Sequence, residues 1–162
     1  MKLYHILPTV ALGLGVALGF TSCADDNDSN PVLHMPDTFT LNTPALAGNT
    51  YDLKNTTDSI AFTWSQPDYG GMPLATTYKL QYVVAKTGNE VVTTADGKLQ
   101  FAEGVEVKEY DESKTKCEYK LAPADVDIIL LRETGATADN MPASTDVYYR
   151  VSAQTTSTQP VY

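Results

Sequence analysis

Histidine and cysteine are scarce in this chain, with two of each among 162 residues. A serine or cysteine nucleophile needs a histidine held close beside it, and a zinc site needs clustered histidines and cysteines. His34 lies between Pro31 and Pro36 in the predicted tether before the domain, which is a poor position for either role. The sequence therefore predicts no base-activated nucleophile, no metal site and no cofactor.

Basic residues are also few, because 11 lysines and arginines stand against 20 aspartates and glutamates, for a net charge of −9. Binding to nucleic acid or to anionic headgroups requires clustered positive charge that can neutralise phosphates. The sequence contains no such cluster, so nucleic acid is excluded as a partner. Neutral ligands such as glycans remain open.

Paired carboxylates could in principle cleave glycosides. Such a pair needs one carboxyl group whose pKa is raised by apolar surroundings. The available acidic residues lie in charged stretches without such surroundings, so we interpret them as solvated and predict no enzyme activity. They are Asp68, Glu103, Glu109, Asp111 and Glu112.

No hydrophobic run is long enough to cross a bilayer as a helix. The longest, Ile6–Phe20, has roughly fifteen residues, whereas a spanning helix needs about 20. Lys2 precedes this run, and the small residues Thr21 and Ser22 follow it. A basic start, a short apolar segment and small residues before a break are typical of a secretory signal peptide, predicted here over residues 1–22.

Cys23 follows that break directly. The segment from Phe20 to Cys23 resembles the lipobox of bacterial lipoproteins, with Phe20 in the apolar position and Ser22 in the small one. The resemblance implies that Cys23 is acylated and becomes the first residue of a membrane-anchored protein. An ordinary cleaved signal followed by an incidental cysteine is the alternative. With Cys23 acylated, Cys117 has no disulfide partner within the chain.

Three acidic residues follow the cysteine: Asp25, Asp26 and Asp28. They resemble the short acidic tag that directs lipoproteins to the outside of the outer membrane in bacteria with starch-utilisation systems. A solvated acidic linker is the alternative. A calcium-binding loop is rejected because Pro31 stands where an EF-hand needs glycine, and no flanking helices are indicated.

Residues 23–37 are polar and predict a lipidated tether, whereas residues 38–162 predict one folded domain. Alternation of apolar and polar residues indicates strands with one buried face. This period-two pattern occurs at Ile60–Trp64, Tyr78–Val84, Cys117–Leu121 and Val147–Ala153, and more weakly at Phe39–Asn42. On this pattern Cys117 is a small core residue.

The middle of the domain is less regular. A short strand is predicted at Glu90–Thr94, and Asp96-Gly97 predicts a hairpin turn into Lys98–Phe101. The charged segment Glu103–Lys116 is predicted to be mainly loop with some edge pairing.

A single helix is predicted near residues 123–134. Pro123 suits the first helical position, and Gly135 can end the helix in a left-handed conformation. Val126, Ile129 and Leu130 would form its buried stripe. Several short strands separated by turn signals, with this one helix, predict an all-β antiparallel sandwich.

The final strand of such a sandwich is expected to be missing. Only six residues follow Thr156, and Pro160 among them cannot donate a hydrogen bond to a neighbouring strand. One edge of the strand Val147–Ala153 would then have unpaired backbone groups. We therefore expect the domain to self-associate.

The strand containing Trp64, the tyrosine-rich strand Tyr78–Val84 and the segment Tyr149–Ala153 together resemble immunoglobulin-like and fibronectin-III sandwiches. With the lipobox, the acidic residues and the helix, the chain is similar over essentially its whole length to SusE-type outer-membrane lipoproteins. It resembles in particular their N-terminal immunoglobulin-like domain.

This resemblance implies a non-catalytic cell-surface protein of a starch or polysaccharide uptake complex. Its implied partners are a TonB-dependent porin and a companion glycan-binding lipoprotein. The family's glycan contacts belong to domains further along the chain, so this domain would serve as an anchor and spacer. An adhesive or pilus-associated surface module, which uses an open sheet edge, is the alternative function.

A direct glycan contact would require an exposed aromatic ring with polar neighbours. Tyr69, beside Gly70 and Gly71 in a loop, is the first candidate, followed by Tyr51 and Tyr110. Each of these tyrosines could instead fasten its own loop.

Overall fold

Seven strands and one helix form the part of the chain that the computed structural model describes, which comprises residues 33–36, 39–45, 47–137, 139–140, 142–156 and 158–162. The elements are β1 (Ile60–Thr63), β2 (Thr77–Val84), β3 (Val91–Thr93), β4 (Leu99–Phe101), β5 (Lys108–Lys114), β6 (Glu118–Leu121), α1 (Pro123–Thr134) and β7 (Val147–Gln154). None of the described residues forms a helix that is long and apolar enough to span a bilayer.

The largest sheet has three antiparallel strands in the order β5-β2-β7. The central strand β2 pairs with β7 over eight consecutive residues, from Thr77 opposite Gln154 to Val84 opposite Val147. Its pairing with β5 shifts register between Lys79, opposite Ser113, and Gln81, opposite Glu109, so the extra residues lie on β5.

A second sheet pairs β1 with β6, and the predicted first edge strand contributes a single bridge to it. Leu41 pairs with Trp64, and the N–H of Asn42 donates to the Thr63 carbonyl oxygen at 2.8 Å. Pro44 follows closely and cannot donate a ladder hydrogen bond, which is consistent with the short pairing.

The core lies between these two sheets and confirms the period-two predictions. Every second residue of β2 from Tyr78 to Val84 lies in one apolar cluster with alternate residues of β1, β6 and β7. Gln81 and Val83, which lie between them on β2, are buried as well. The chain is therefore an all-β antiparallel sandwich, as predicted. The strand residues of this cluster, with Trp64 directly after β1, are Ile60, Phe62, Trp64, Tyr78, Leu80, Tyr82, Val84, Tyr119, Leu121, Val151 and Ala153.

Helix α1 also confirms its prediction. Pro123 begins the helix, and Gly135 ends it with a φ of 63°, which is the left-handed conformation that glycine adopts without steric cost. Its predicted apolar stripe is buried in the core cluster. The Arg132 guanidinium donates from Nη2 to the Tyr82 hydroxyl at 2.6 Å, so the helix is also fastened to the large sheet by a polar contact.

Strand β5 corrects the prediction that Glu103–Lys116 is mainly loop. Seven residues of that segment form the outer strand of the large sheet. Strand β5 has no period-two apolar pattern because it is an edge strand with five charged residues. Charged side chains on an edge discourage pairing with other molecules.

Strands β3 and β4 form the predicted hairpin as a separate two-stranded sheet. Its turn is closed by the Thr94 N–H, which donates to the Lys98 carbonyl oxygen at 2.8 Å, and Gly97 has a φ of 81°. Two apolar side chains of the hairpin, Val92 and Leu99, are exposed.

The expectation of a missing final strand is corrected in part. The described residues contain no strand after β7, but Val161 pairs with Ala153 on the side of β7 that faces away from β2. The N–H of each residue donates to the carbonyl oxygen of the other, at 2.9 and 2.8 Å. The edge of β7 is therefore covered at one end.

Candidate functional site

The predicted lipidation site and acidic tag lie outside the described residues. Cys23, Asp25, Asp26 and Asp28 therefore stay sequence-based predictions. The described residues begin at Leu33, so only the folded domain can be searched for a binding site in the structure.

Tyr69 is buried, so the exposure that its proposed glycan contact requires is absent. Its side chain is 1% exposed, and its backbone carbonyl oxygen accepts a hydrogen bond from the His34 N–H at 3.3 Å. The loop folds over because Asp68 Oδ1 accepts hydrogen bonds from the N–H groups of Gly70 and Gly71, at 2.9 and 3.0 Å. A sugar cannot stack on a ring whose faces are covered, which corrects the prediction for Tyr69.

The two other candidate tyrosines also have structural contacts. The Tyr51 hydroxyl donates to the Ala45 carbonyl oxygen at 2.5 Å and fastens its own loop. The Tyr110 ring lies between Tyr82 and Tyr119, with centroid distances of 5.1 and 5.7 Å. Burial raises the pKa of Tyr110 well above its usual value. Both contacts agree with the alternative that these rings hold local structure.

Two carboxylates that were considered for glycoside cleavage also have structural partners. The backbone N–H groups of Gly71 and Gly70 lower the pKa of Asp68, and the Lys79 ammonium lowers that of Glu109. A general acid for glycoside cleavage needs a raised pKa instead. These shifts do not suit that role.

Cys117 lies beside an open groove of about 410 Å³ at one end of the sandwich. Its thiol is 3.6 Å from the Tyr78 hydroxyl, and the residue is half-buried against the core. The remaining lining is mostly small and polar, with Thr76, Thr77 and Thr115. The groove presents hydroxyl groups but no charged pair aimed at a common point, so it carries no chemical assignment.

A second cleft, of about 190 Å³, contains the buried carboxylate of Glu90. Its Oε1 accepts hydrogen bonds from the backbone N–H groups of Lys86 and Thr87, at 2.8 and 2.7 Å. These donors, that of Thr87 first, lower the pKa of Glu90 to about 2. The carboxylate closes the turn after β2, which gives it a structural role.

Sequence reasoning missed a polar and aromatic cluster on the outer face of the large sheet, which we call the Arg150 cluster. The Arg150 guanidinium lies 4.6 Å from the Phe101 ring centroid and 3.9 Å from that of Tyr162. Both rings therefore lie within the roughly 6 Å over which an aromatic face attracts a cation. The cluster consists of Lys79, Gln81, Phe101, Glu109, Arg150 and Tyr162.

Hydrogen bonds connect the polar members of the Arg150 cluster across three strands. Arg150 Nε donates to Gln81 Oε1 at 3.0 Å, and Gln81 Nε2 donates to Glu109 Oε1 at the same distance. Glu109 Oε2 accepts from Lys79 Nζ at 2.7 Å. Within the described part of the chain, Arg150 forms no ion pair with a carboxylate side chain, and burial lowers its pKa.

This arrangement can donate hydrogen bonds and stack on flat groups, since the Tyr162 side chain is 48% exposed. It pairs no nucleophile with a base. The sequence places Lys79, Gln81 and Arg150 at the positions of β2 and β7 opposite the core-facing ones, in strands that were predicted correctly. Polar residues at such positions do not by themselves indicate a cluster. Phe101 and Tyr162 reach them from a hairpin and from the end of the described chain, which no local pattern reveals.

Comparison with known proteins gives the family. Residues 25–151 match the protein family described as SusE outer membrane protein. That segment begins two residues after Cys23 and extends from there through α1 into β7. No solved structure matches the chain. The chain therefore belongs to the SusE outer membrane protein family.

Proposed function

We propose that this chain is a non-catalytic cell-surface lipoprotein of a starch or polysaccharide uptake complex, in which it supplies the membrane anchor and a spacer domain. The observation that carries the proposal is the position of the family match, which starts at residue 25, two residues after the lipobox ends at Cys23. Anchor and sandwich are then adjacent parts of one protein.

The contacts of the sandwich support a spacer role. Most of its tyrosine rings point into the core, and the three candidate glycan residues serve local structure or are buried. A spacer needs a stable domain on a polar tether, and residues 25–30, which follow Cys23 closely, are all polar. The proposed partners are a TonB-dependent porin and a companion glycan-binding lipoprotein.

The export role of the acidic residues gives the experiment for surface location. Replacing Asp25, Asp26 and Asp28 together with alanine removes three negative charges and leaves Cys23 in place. We expect the variant to keep its lipid and to lose most of its labelling by an antibody applied to intact cells. A triple asparagine variant tests whether charge is the signal, and undiminished labelling of the alanine variant would refute the export role.

The purified protein is expected not to bind starch measurably. Migration in native gels with and without amylopectin measures this, and equal mobility in both gels is the expected result. Retardation by the polysaccharide would contradict a pure spacer role. In that case Tyr162→Ala and Arg150→Ala would show whether the Arg150 cluster is responsible, with Leu99→Ala as a control at another exposed position.

The alternative, an adhesive or pilus-associated module, would use the edge of β7, to which the described residues contribute the single Val161 bridge. The genes beside the one that encodes this chain distinguish the two functions. A porin and a glycan hydrolase would support uptake, whereas fimbrial genes would support adhesion.

A further inference from the structure

The turn of the β3-β4 hairpin contains the only Asp-Gly pair in the sequence, Asp96-Gly97, and the sequence has no Asn-Gly pair. In such a pair the main-chain nitrogen of the glycine can attack the carboxyl group of the aspartate, because glycine has no side chain that obstructs the approach. The turn is also open, since a Cβ atom added at Gly97 would meet no atom beyond the adjacent residues within 4 Å. Neighbouring elements therefore do not block this chemistry.

The reaction has two steps, which together leave the composition of the chain unchanged. In the first step the Gly97 nitrogen forms a bond to Asp96 Cγ, and the amide proton and the carboxyl hydroxyl group leave together as water. In the second step water adds to the main-chain carbonyl carbon of Asp96, and the bond from that carbon to the Gly97 nitrogen breaks. The main chain then runs through Cγ, and Asp96 has become isoaspartate.

The first step requires a protonated carboxyl group, because an ionised carboxylate has no hydroxyl group to release. Thr94 Oγ1 lies 2.5 Å from Asp96 Oδ1 and 2.9 Å from the Lys98 carbonyl oxygen, and its single proton favours the charged acceptor. Lys98 Nζ lies 3.3 Å from Asp96 Oδ2. The Thr94 hydroxyl and, after it, the Lys98 ammonium lower the pKa of Asp96. Both contacts therefore oppose the first step.

The attacking nitrogen is restrained as well. The Gly97 N–H donates to the Thr94 carbonyl oxygen at 2.9 Å, and the nitrogen must lose this proton before it can attack. The Lys98 N–H donates to Thr94 Oγ1 at 3.1 Å, which holds the hydroxyl in place. Thr94 thus contacts both reacting groups, the carboxylate through its side chain and the amide through its main chain.

We propose that Asp96 is the residue of this chain at which isoaspartate forms, and that the Thr94 hydroxyl limits the rate through its hydrogen bond to the carboxylate. Isoaspartate adds one carbon atom to the main chain of the turn, so the hydrogen bonds between Thr94 and Lys98 cannot keep their geometry. The change loosens the hairpin. It also reaches the Arg150 cluster, because the Phe101 ring over Arg150 belongs to β4.

The test measures isoaspartate in the purified full chain after incubation at neutral pH in water enriched in the heavy isotope of oxygen. Each passage through the ring adds one heavy oxygen, and the isomer resists a protease that cleaves before aspartate. Trypsin cleaves after Lys86 and Lys98, and the peptide 87–98 contains Asp96 as its only aspartate. Thr94→Val should form isoaspartate about tenfold faster than the wild type, the lower end of the factor for a hydrogen bond to a charged group.

Three controls separate the hydroxyl group from other effects. Thr94→Ser retains the hydroxyl and should react at close to the wild-type rate. Thr93→Val makes the same chemical change at the adjacent residue and should also leave the rate unchanged. Asp96→Glu should give no isomer in this peptide, because glutamate would have to close a larger ring, which forms far more slowly. The wild type unfolded in urea should react faster than the folded chain, because the contacts of Thr94 are then lost.

Three results would overturn the proposal. Equal rates for Thr94→Val and the wild type would show that the hydroxyl does not limit the reaction. Equal rates with and without urea would show that the folded turn gives no protection. Isoaspartate that forms earlier at Asp58, which precedes Ser59, would place the modification site outside the hairpin.

Discussion

Leu80→Ala should lower the free energy of unfolding by about 3–5 kcal/mol, the range found for fully buried leucines. Leu80 is 0% exposed and lies on the central strand β2, opposite Val151 of β7. Its removal leaves a cavity between the two sheets that the surrounding β-strands cannot readily close. Domains of this size are stable by about 5–15 kcal/mol, so the variant loses a large share of its stability.

Urea unfolding of the wild type and two variants measures this effect. Leu99→Ala is the matched control, because Leu99 is 69% exposed on the β3-β4 hairpin and the chemical change is identical. The control should change stability by less than about 0.5 kcal/mol. Equal losses for the two variants would contradict the placement of the core between the sheets.

Strands with one buried face were predictable because their side chains point alternately into the core and away from it. Apolar and polar residues therefore alternate in the sequence. Ile60, Phe62 and Trp64 are alternate residues of one segment, and all three lie in the core. Helix α1 was predictable for a related reason, since Pro123 and Gly135 mark its ends through local backbone chemistry. These features depend on neighbours in the sequence.

Strand β5 could not be predicted in the same way. Its residues gain their strand conformation from pairing with β2, which is distant in sequence, and Tyr110 is its only aromatic residue. The register shift opposite Lys79 and Gln81 adds residues to β5 and breaks its alternation further. Pairing partners of an edge strand are set by tertiary structure and leave little trace in a single sequence.

Tyr69 was misjudged for a similar reason. Glycines beside an aromatic residue are typical of an exposed loop, and the loop was predicted correctly. The hydrogen bonds of Asp68 to Gly70 and Gly71 turn the chain sharply, and the Tyr69 ring is buried. Whether a loop residue points outward depends on what the loop packs against. The Arg150 cluster was missed for the same reason, because its rings come from separate elements.

The proposed membrane anchor was inferred from local sequence alone, and its removal is expected to have the largest effect in the cell. Cys23→Ala removes the only thiol at the proposed acylation site. Each buried methylene of an acyl chain contributes about 0.8 kcal/mol, so two or three chains anchor a protein in effect permanently, whereas one chain is marginal. The variant should leave the membrane fraction and incorporate no radiolabelled palmitate.

Cys117→Ala is the matched control for this experiment, because Cys117 is the only other cysteine in the sequence. Its thiol is half-buried near the Tyr78 hydroxyl, within the domain rather than at its anchor. The control should keep both the palmitate label and the membrane association of the wild type.

Unchanged partitioning of Cys23→Ala would show that Cys23 follows an ordinary signal peptide. If only Cys117→Ala lost the palmitate label, the acyl group would be on Cys117, and the prediction of a lipobox at Cys23 would be wrong. Loss of both properties from Cys23→Ala alone would assign the anchor to Cys23, two residues before the segment 25–151 that matches the family.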